Sequence, residues 1–306
     1  MGQLINGKWS DLDSDANKSS GSYSREDAGF RRWIENSPVS PFQPESGRYH
    51  LYVSLACPWA HRTLIFRQLK GLTEHIGVTV VSPDMLDKGW VFENPEPVYG
   101  YTCLHQLYTR AKPDYTGRVT VPILWDKQTE NIVNNESSEI IRMFNSEFDE
   151  TTRNLDDYYP YELQKEIDKW NDFVYPNINN GVYRCGFATT QQAYQDAYKT
   201  LFDALDVVEK RLEEHSYLAG EQVTEADWRL FTTLIRFDSV YVGHFKCNKK
   251  RIVDYPNMFR YLKVLYQTEG IKQTVNFEQI KRHYYFSHKK INPTQIVPVG
   301  PALFFE

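Results

Sequence analysis

The sequence is poor in cysteine and lacks the features that mark secreted and membrane proteins. Only four cysteines occur among 306 residues, and no two of them form a CxxC pair. This scatter excludes a disulfide-dense scaffold and is typical of a reducing compartment. The chain has no apolar run of 18 residues, and its first ten residues lack the apolar core of a signal peptide. We therefore expect a cytoplasmic protein without a membrane partner.

A surplus of basic charge is also missing, since 35 basic residues stand against 40 acidic ones and the formal net charge is −5. Nucleic acid is therefore not an expected partner, because its recognition needs a basic face. Aromatic residues, in contrast, are abundant, with 21 tyrosines, 17 phenylalanines and 7 tryptophans. Tyrosine in such numbers suggests amphipathic pockets. The length is sufficient for two domains.

Cys57 lies where an alternating pattern changes to a helical one. Residues 51–55 alternate between the two faces of a strand, and from Ala60 apolar residues recur at helical spacing. With Pro58 as the first helical residue, Cys57 occupies the N-cap position. The positive end of a helix stabilises an anion, and a thiolate is both an anion and a nucleophile. Cys57 is therefore a candidate nucleophile, with a buried inert cysteine as the common alternative.

The motif Cys57-Pro58-Trp59-Ala60 carries a single thiol, because position 60 lacks the second cysteine of a dithiol oxidoreductase. A mixed disulfide on Cys57 cannot be resolved within the motif and needs an outside thiol. Glutathione is the obvious candidate for that thiol.

The first half of the chain predicts an N-terminal extension followed by an α/β domain. Residues 1–47 are polar and contain several prolines, which predicts an extended arm anchored by Phe30, Trp33 and Ile34. Residues 48–148 follow the order β-α-β, a long insert, then β-β-α. That order predicts a thioredoxin-like domain, with a single third strand over residues 118–126.

Only helical periods follow the linker that we predict near residues 149–160. Residues 160–306 therefore predict an all-α bundle. Thr224 with Asp227 three residues later has the form of a shortened capping box at the start of one of its helices.

The motifs identify a family that the chain resembles. The chain is similar to the glutathione transferase superfamily and, within it, to the xi class of glutathionyl-hydroquinone reductases. The Cys57-Pro58-Trp59-Ala60 motif is shared with omega-class enzymes and indicates only the superfamily. The segments that are more specific to the xi class are 117–126, 135–140, 179–187 and 237–247, and in the tail 283–288, 291–294 and 297–301. The resemblance implies a thioredoxin-like domain followed by a glutathione-transferase-type helical bundle, glutathione as co-substrate, and a homodimer.

The resemblance also implies a glutathione site in the first domain. Pro122 matches a proline that follows a cis bond in thioredoxin-like folds and turns the backbone of Val121 toward an extended tripeptide. Glu136 and Ser137 match a pair that holds the γ-glutamyl end, with a carboxylate for its ammonium group and helix N–H groups for its carboxylate. Taken alone, Pro122 is an ordinary strand-leading proline and Glu136-Ser137 an ordinary helix start.

Trp90 and Arg118 complete the implied glutathione site. Trp90 matches the tryptophan that covers glutathione in this family, although a loop anchor would look the same in the sequence. Arg118 would add positive charge to the same pocket.

Three tyrosines carry the substrate side of the resemblance. Tyr183, Tyr241 and Tyr284 match those that line the aromatic-substrate pocket of the class, where a phenol can stack and can bond a hydroquinone oxygen. For any single tyrosine, helix packing is the alternative. Nearby histidines, to which we assign no catalytic role, are His244, His283 and His288. No metal signature accompanies them, so we expect no metal cofactor.

The resemblance implies a thiol-dependent reductase whose small-molecule substrates are aromatic glutathione conjugates. Cys57 would take glutathione from a glutathionyl-hydroquinone, and a second glutathione would then release it as glutathione disulfide. One alternative is an omega-like thioltransferase or dehydroascorbate reductase, for which Cys57 alone suffices. A second alternative is an inactive transferase-like scaffold, against which the intact Cys57-Pro58 and Glu136-Ser137 pairs speak.

Overall fold

The computed structural model describes residues 2–11, 21–23, 27–303 and 305. These residues form two compact units. The first unit contains residues 2–11 and 27–156, and the second contains residues 21–23 and the described chain from 157 onward. The domain limits given by the sequence patterns, at 48–148 and 160–306, stay a prediction.

The first unit contains a mixed four-stranded sheet. The strands of the whole unit are β1 (Gln3–Ile5), β2 (Lys8–Ser10), β3 (Tyr49–Val53), β4 (Gly77–Val80), β5 (Gly117–Arg118), β6 (Ile123–Asp126) and β7 (Asn131–Asn134). Its helices are α1 (Pro58–Leu69), α2 (His105–Ala111), α3 (Ser137–Ser146) and α4 (Asp149–Thr152). The sheet has the order β4-β3-β6-β7, with β4 parallel and β6 antiparallel to β3. The predicted thioredoxin-like fold is confirmed.

The central position of β3 explains its composition. All five of its residues are buried, because β3 has a neighbouring strand on each side and is covered on both faces. Helix α1 connects β3 to the parallel strand β4 and packs against α3. This β-α-β unit places the start of α1 directly after the central strand.

The third predicted strand, over residues 118–126, is wrong in its extent. The structure has two separate strands there, β5 and β6, and residues 119–122 belong to neither. Pro122 has no N–H group to donate to a ladder, so pairing begins only at Ile123. The predicted linker also differs, because α4 occupies its first residues.

The N-terminal extension contains a hairpin that we did not predict. Strands β1 and β2 pair antiparallel, and β1 also pairs with β5 to give a second, three-stranded sheet. Asn6 and Gly7 connect the hairpin with φ values of 45° and 73°. Asparagine followed by glycine suits this turn, because both residues tolerate positive φ. Further along the extension, Ile34 is fully buried and Phe30 stacks on Tyr115.

The second unit is helical, which confirms the predicted bundle. Its helices are α5 (Gln164–Val174), α6 (Asn180–Gly186), α7 (Gln191–Glu214), α8 (Glu225–Arg236), α9 (Pro256–Gln267) and α10 (Phe277–Ser287). The predicted capping box is also confirmed, since the Thr224 N–H group donates to Asp227 Oδ2 at 2.7 Å. Two π-helical turns, Tyr175–Asn179 and Phe237–Tyr241, adjoin α6 and α8. Within the described chain, no helix is long and apolar enough to cross a membrane.

Candidate active site

Four segments that carry predicted site residues meet at one edge of the mixed sheet of the first unit. Strands β3 and β4 run parallel, so Cys57 after β3 and the connection after β4 leave the sheet at the same edge. Strand β6 runs antiparallel to β3, so Pro122, just before β6, lies at this edge too. Strand β7 runs antiparallel to β6 and therefore ends there, followed by Glu136. The topology thus gathers residues that are far apart in the sequence.

Cys57 is the N-cap residue of α1, and Pro58 is its first helical residue. The backbone of Cys57 is extended, with φ of −76° and ψ of 123°, which is typical of an N-cap. Its thiol is partly exposed and donates to the carbonyl oxygen of Val121 at 3.7 Å. The positive end of α1 is suited to stabilising this sulfur as a thiolate.

The peptide bond between Val121 and Pro122 is cis, as the resemblance implied. Val121 is nearly fully buried, and its carbonyl oxygen is the acceptor for the Cys57 thiol. The structure therefore brings together Cys57, Val121 and Pro122, three of the residues predicted for the site.

Glu136 and Ser137 form the start of α3. Glu136 is the N-cap, and its Oε1 accepts from both the backbone N–H and the hydroxyl of Ser138 at 2.9 Å. The Glu136 N–H group in turn donates to Asn134 Oδ1 at 2.7 Å. This arrangement presents a carboxylate beside the N-terminus of a helix, a pairing that can hold a zwitterionic amino-acid group. Its role toward glutathione stays a prediction.

Trp90 lies in the long connection after β4 and is buried, with 7% of its surface exposed. The connection folds back on itself, because the Ser82 N–H group donates to Val91 O at 2.8 Å and the Leu104 N–H group donates to Trp90 O at 2.9 Å. Arg118 lies in a separate segment, on β5. The roles of Trp90 and Arg118 also stay predictions.

The three predicted tyrosines meet in the second unit. Tyr183 comes from α6, Tyr241 from the second π-helical turn and Tyr284 from α10. The hydroxyl oxygen of Tyr284 lies 2.6 Å from that of Tyr183 and 3.2 Å from that of Tyr241. Tyr284 is therefore the centre of a hydrogen-bonded tyrosine cluster, which we define as these three residues.

The tyrosine cluster is deeply placed in the bundle. Tyr241 and Tyr284 are almost fully buried, whereas Tyr183 is partly exposed. Burial raises the pKa of Tyr284 well above its ordinary value, and the neighbouring Tyr183 and Tyr241 raise it further. Tyr284 is therefore a protonated hydrogen-bonding group at neutral pH, suited to an oxygen acceptor.

Two phenylalanines extend the tyrosine cluster. Phe245 stacks on Tyr241 with ring centroids 5.4 Å apart, and Phe187 stacks on Tyr183 at 6.1 Å. Both lie in segments that carry the family resemblance, but neither was predicted as a site residue. Their position next to the candidate tyrosines in the sequence was a usable signal, because residues 183 and 187 share a helix face.

A histidine pair lies beside the tyrosine cluster. His244 Nε2 and His288 Nδ1 are 3.2 Å apart, and the ring of His288 packs edge-on against that of Tyr284. Burial lowers the pKa of His244 to about 4, with further contributions from Lys246 and His283. Burial also lowers the pKa of His288 well below its ordinary value. Both rings are therefore neutral at pH 7.

Metal binding has no visible basis in the described ranges. Among these residues, no group of three or more histidine, cysteine, aspartate or glutamate side chains is arranged to hold a metal ion.

Two family models match the chain. The glutathione S-transferase N-terminal domain matches residues 56–147, and the glutathione S-transferase C-terminal domain matches residues 191–263. The first range includes Cys57, Pro122 and Glu136, and the second includes Tyr241.

The chain is also similar to two glutathionyl-hydroquinone reductases over nearly its whole length. Glutathionyl-hydroquinone reductase YqjG of Escherichia coli is 52% identical, with 98% of this chain and 95% of that protein covered. Glutathionyl-hydroquinone reductase PcpF of Sphingobium chlorophenolicum is 51% identical, with 99% and 97% covered.

Solved structures extend the comparison. The glutathione-bound structure of YqjG has a TM-score of 0.90 at 50% identity and covers 99% of this chain and 97% of its own. The glutathione S-transferase Xi of Phanerochaete chrysosporium also has a TM-score of 0.90, at 53% identity, with 93% and 94% covered. The chain therefore belongs to the glutathione transferase superfamily and, within it, to the xi class that includes the glutathionyl-hydroquinone reductases.

Proposed function

We propose that this protein is a glutathione-dependent reductase that removes glutathione from glutathionyl-hydroquinones. The tyrosine cluster is the observation that carries the proposal, because three converging phenol hydroxyls can bind and donate to the oxygens of a dihydroxylated ring. The two relatives that bear the name of this activity are similar over nearly the whole chain and support the same function.

The first half-reaction transfers glutathione to Cys57. The Cys57 thiolate attacks the thioether sulfur, a sulfur–sulfur bond forms, and the bond from sulfur to the ring carbon breaks. The electron pair of that bond passes to the ring. An aryl carbanion is a poor leaving group, so the ring carbon must first take a proton to give a keto tautomer. The departing group is then an enolate, whose oxygen is stabilised by a hydrogen bond from Tyr284 and takes up a proton to give the hydroquinone.

The second half-reaction restores the thiol. A second glutathione thiolate attacks the glutathione sulfur of the mixed disulfide, which releases glutathione disulfide and the Cys57 thiolate. The two glutathione sulfurs, one from the thioether and one from the free thiol, thus lose two electrons in total, and the ring carbon takes up this electron pair with a proton in place of its sulfur. The kinetics are ping-pong, because the hydroquinone leaves before the second glutathione reacts.

Glutathione is proposed to occupy the sheet edge around Cys57. The backbone of Val121 before Pro122 pairs with the extended tripeptide, and Glu136 with Ser137 holds its γ-glutamyl end. Trp90 is proposed to cover the bound glutathione. Arg118 is proposed to add positive charge to the same pocket. The Glu136 carboxylate at the start of α3 supports the assignment of Glu136 and Ser137 to the γ-glutamyl end.

The assembly and cellular setting are part of the same proposal. We infer a homodimer, as the class resemblance implies. We also infer a cytoplasmic protein, because the scattered cysteines are typical of a reducing compartment. No resident metal is part of the proposal. The proposed substrates are small aromatic conjugates of glutathione.

The intact mass of the reduced protein tests both half-reactions. The protein is mixed with a glutathionyl-hydroquinone in the absence of free glutathione and is then chased with glutathione. We expect an adduct of one glutathione on Cys57, release of the hydroquinone in the first step, and loss of the adduct during the chase. Peptide mapping assigns the adduct to Cys57.

Other outcomes point to the alternatives. An adduct that forms with glutathione disulfide but not with the conjugate would favour the omega-like thioltransferase. The absence of an adduct with either compound would favour an inactive scaffold.

A further inference from the structure

We propose that the β1–β2 hairpin is a positioning element for the glutathione site and that Trp9 is its principal contact. The inference rests on the proposed function, because it takes Trp90 and Arg118 to bind glutathione. The hairpin itself is assigned no contact with glutathione.

The hairpin first holds the segment that precedes Trp90. The indole N–H group of Trp9 donates to the carbonyl oxygen of Asp87 at 2.8 Å. Gly89 lies directly under the indole, since a Cβ atom added there would stand 2.6 Å from the Trp9 ring. With φ of +68°, Gly89 also has a backbone conformation that favours glycine. Trp9 therefore packs against Gly89, the residue immediately before Trp90.

The same indole reaches a second element of the insert. It stacks on the ring of His105, the first residue of α2, with centroids 5.1 Å apart and an angle of 16° between the planes. The Leu104 N–H group, one residue earlier, donates to Trp90 O. Trp9 thus contacts the insert on both sides of the hydrogen bond that holds the Trp90 backbone.

The hairpin also holds Arg118. Strand β1 pairs with β5 in the register Gln3 to Arg118 and Leu4 to Gly117, and Leu4 is fully buried. The turn continues this attachment, because the Gly7 N–H group donates to Tyr115 O at 2.9 Å. The hairpin therefore holds both the segment of Trp90 and the segment of Arg118. Neither segment belongs to a strand of the mixed four-stranded sheet.

This arrangement has an energetic reason. The insert between β4 and β5 is long and would otherwise lose conformational entropy each time it ordered around a ligand. Contacts that order the insert in advance reduce that cost and raise the affinity for the ligand without touching it. Loss of Trp9 should therefore weaken glutathione binding more than it slows the chemistry of the bound complex.

Calorimetric titration with glutathione tests the inference. All variants carry Cys57→Ser, so that binding is measured without a covalent step. Trp9→Ala should raise the Kd for glutathione about tenfold, and Trp9→Phe, which keeps an aromatic ring but loses the N–H donor, about threefold. Lys8→Ala, an exposed neighbour on the same strand, should leave the Kd unchanged. In the active protein, Trp9→Ala should raise the KM for glutathione while kcat changes less than about twofold.

The outcomes distinguish failure of this inference from failure of the proposed function. If the parent Cys57→Ser protein does not bind glutathione, the proposed function and the inference fail together. If the parent binds and a folded Trp9→Ala protein binds equally well, only the inference fails. If Trp9→Ala does not fold, Trp9→Phe decides, and an unchanged Kd in that variant overturns the inference.

Discussion

The hydroxyl oxygens of Tyr183 and Tyr284 lie 2.6 Å apart, although 101 positions separate the two residues in the chain. Tyr284 is buried and also lies within hydrogen-bond distance of Tyr241, so it links the two other members of the tyrosine cluster. Because burial raises its pKa, Tyr284 offers a proton and not a phenolate charge at neutral pH. Such a cluster is suited to donating hydrogen bonds to the oxygens of an aromatic substrate.

Tyr284→Phe should therefore impair reduction of glutathionyl-hydroquinones selectively. Removal of one acid–base or hydrogen-bonding group typically costs about 10²-fold, and we expect a loss of that order in kcat. Reduction of a simple glutathione mixed disulfide, which needs only Cys57, should change little. Steady-state assays with both substrates measure the ratio.

Tyr285→Phe is the matched control, because Tyr285 lies on the same helix and donates to Ser239 O, outside the tyrosine cluster. Equal losses on both substrates for Tyr284→Phe would indicate a folding defect and would remove the support for a role in the reaction.

Cys57→Ser should abolish turnover, with a loss of at least about 10³-fold, because a serine hydroxyl cannot form the mixed disulfide. The protein should still fold and bind glutathione, since the serine keeps the N-cap position of α1. Cys103→Ser is the control, because Cys103 is the other partly exposed cysteine of the described chain. A Cys57→Ser protein that retained turnover would refute the mechanism.

Folding stability should fall as the pH drops below about 6.5. Burial lowers the pKa of His50 from 6.5 to about 4. Between pH 6.5 and pH 4, His50 is therefore protonated in the unfolded chain but neutral in the folded chain. The contribution of His50 is complete above pH 6.5 and is lost progressively toward pH 4. A shift of this size corresponds to about 2 kcal/mol between pH 7 and pH 5. Urea unfolding at both pH values measures the total change, to which the buried His244 and His288 also contribute.

Two variants assign this loss to His50. His50→Gln removes the titrating ring, so its loss between pH 7 and pH 5 should be smaller than that of the wild type by about 2 kcal/mol. Thr79→Ala removes the hydroxyl 2.8 Å from His50 Nε2 but leaves the ring buried, and it should keep the full loss. Parallel stability curves for His50→Gln and the wild type would contradict the assignment.

Arg48→Met should destabilise the first unit strongly. Arg48 forms a two-point ion pair with the fully buried Asp126, with Nε to Oδ1 at 2.9 Å and Nη2 to Oδ2 at 2.8 Å. Removal of one partner leaves a buried charge without compensation, which typically costs about 3–5 kcal/mol. Chemical denaturation measures this loss. Arg251→Met is the control, because it breaks an exposed pair with Asp254 and should leave stability unchanged within error. A similarly small effect of Arg48→Met would contradict the prediction and show that water reaches Asp126.

Local patterns predicted the elements well and their interruptions poorly. The alternation before Cys57 and the helical spacing after it placed the start of α1 correctly, because both are properties of a few neighbouring residues. The single third strand was wrong, because Pro122 has no N–H group to donate and regular pairing begins again only at Ile123. The hairpin around Asn6 and Gly7 was missed despite its turn signal, because its strands are only three residues long.

The amino-acid sequence by itself determined the fold class, the family and the position of a single thiol at the start of a helix. These follow from periodicity, capping chemistry and motifs, which act over a few residues or match directly between related chains. Only the tertiary structure decided which groups touch. The contact of Cys57 with Val121, the distances within the tyrosine cluster and the packing of Trp9 on Gly89 all join residues far apart in the chain. Such contacts depend on how complete elements pack, and a spacing along the chain does not contain that information.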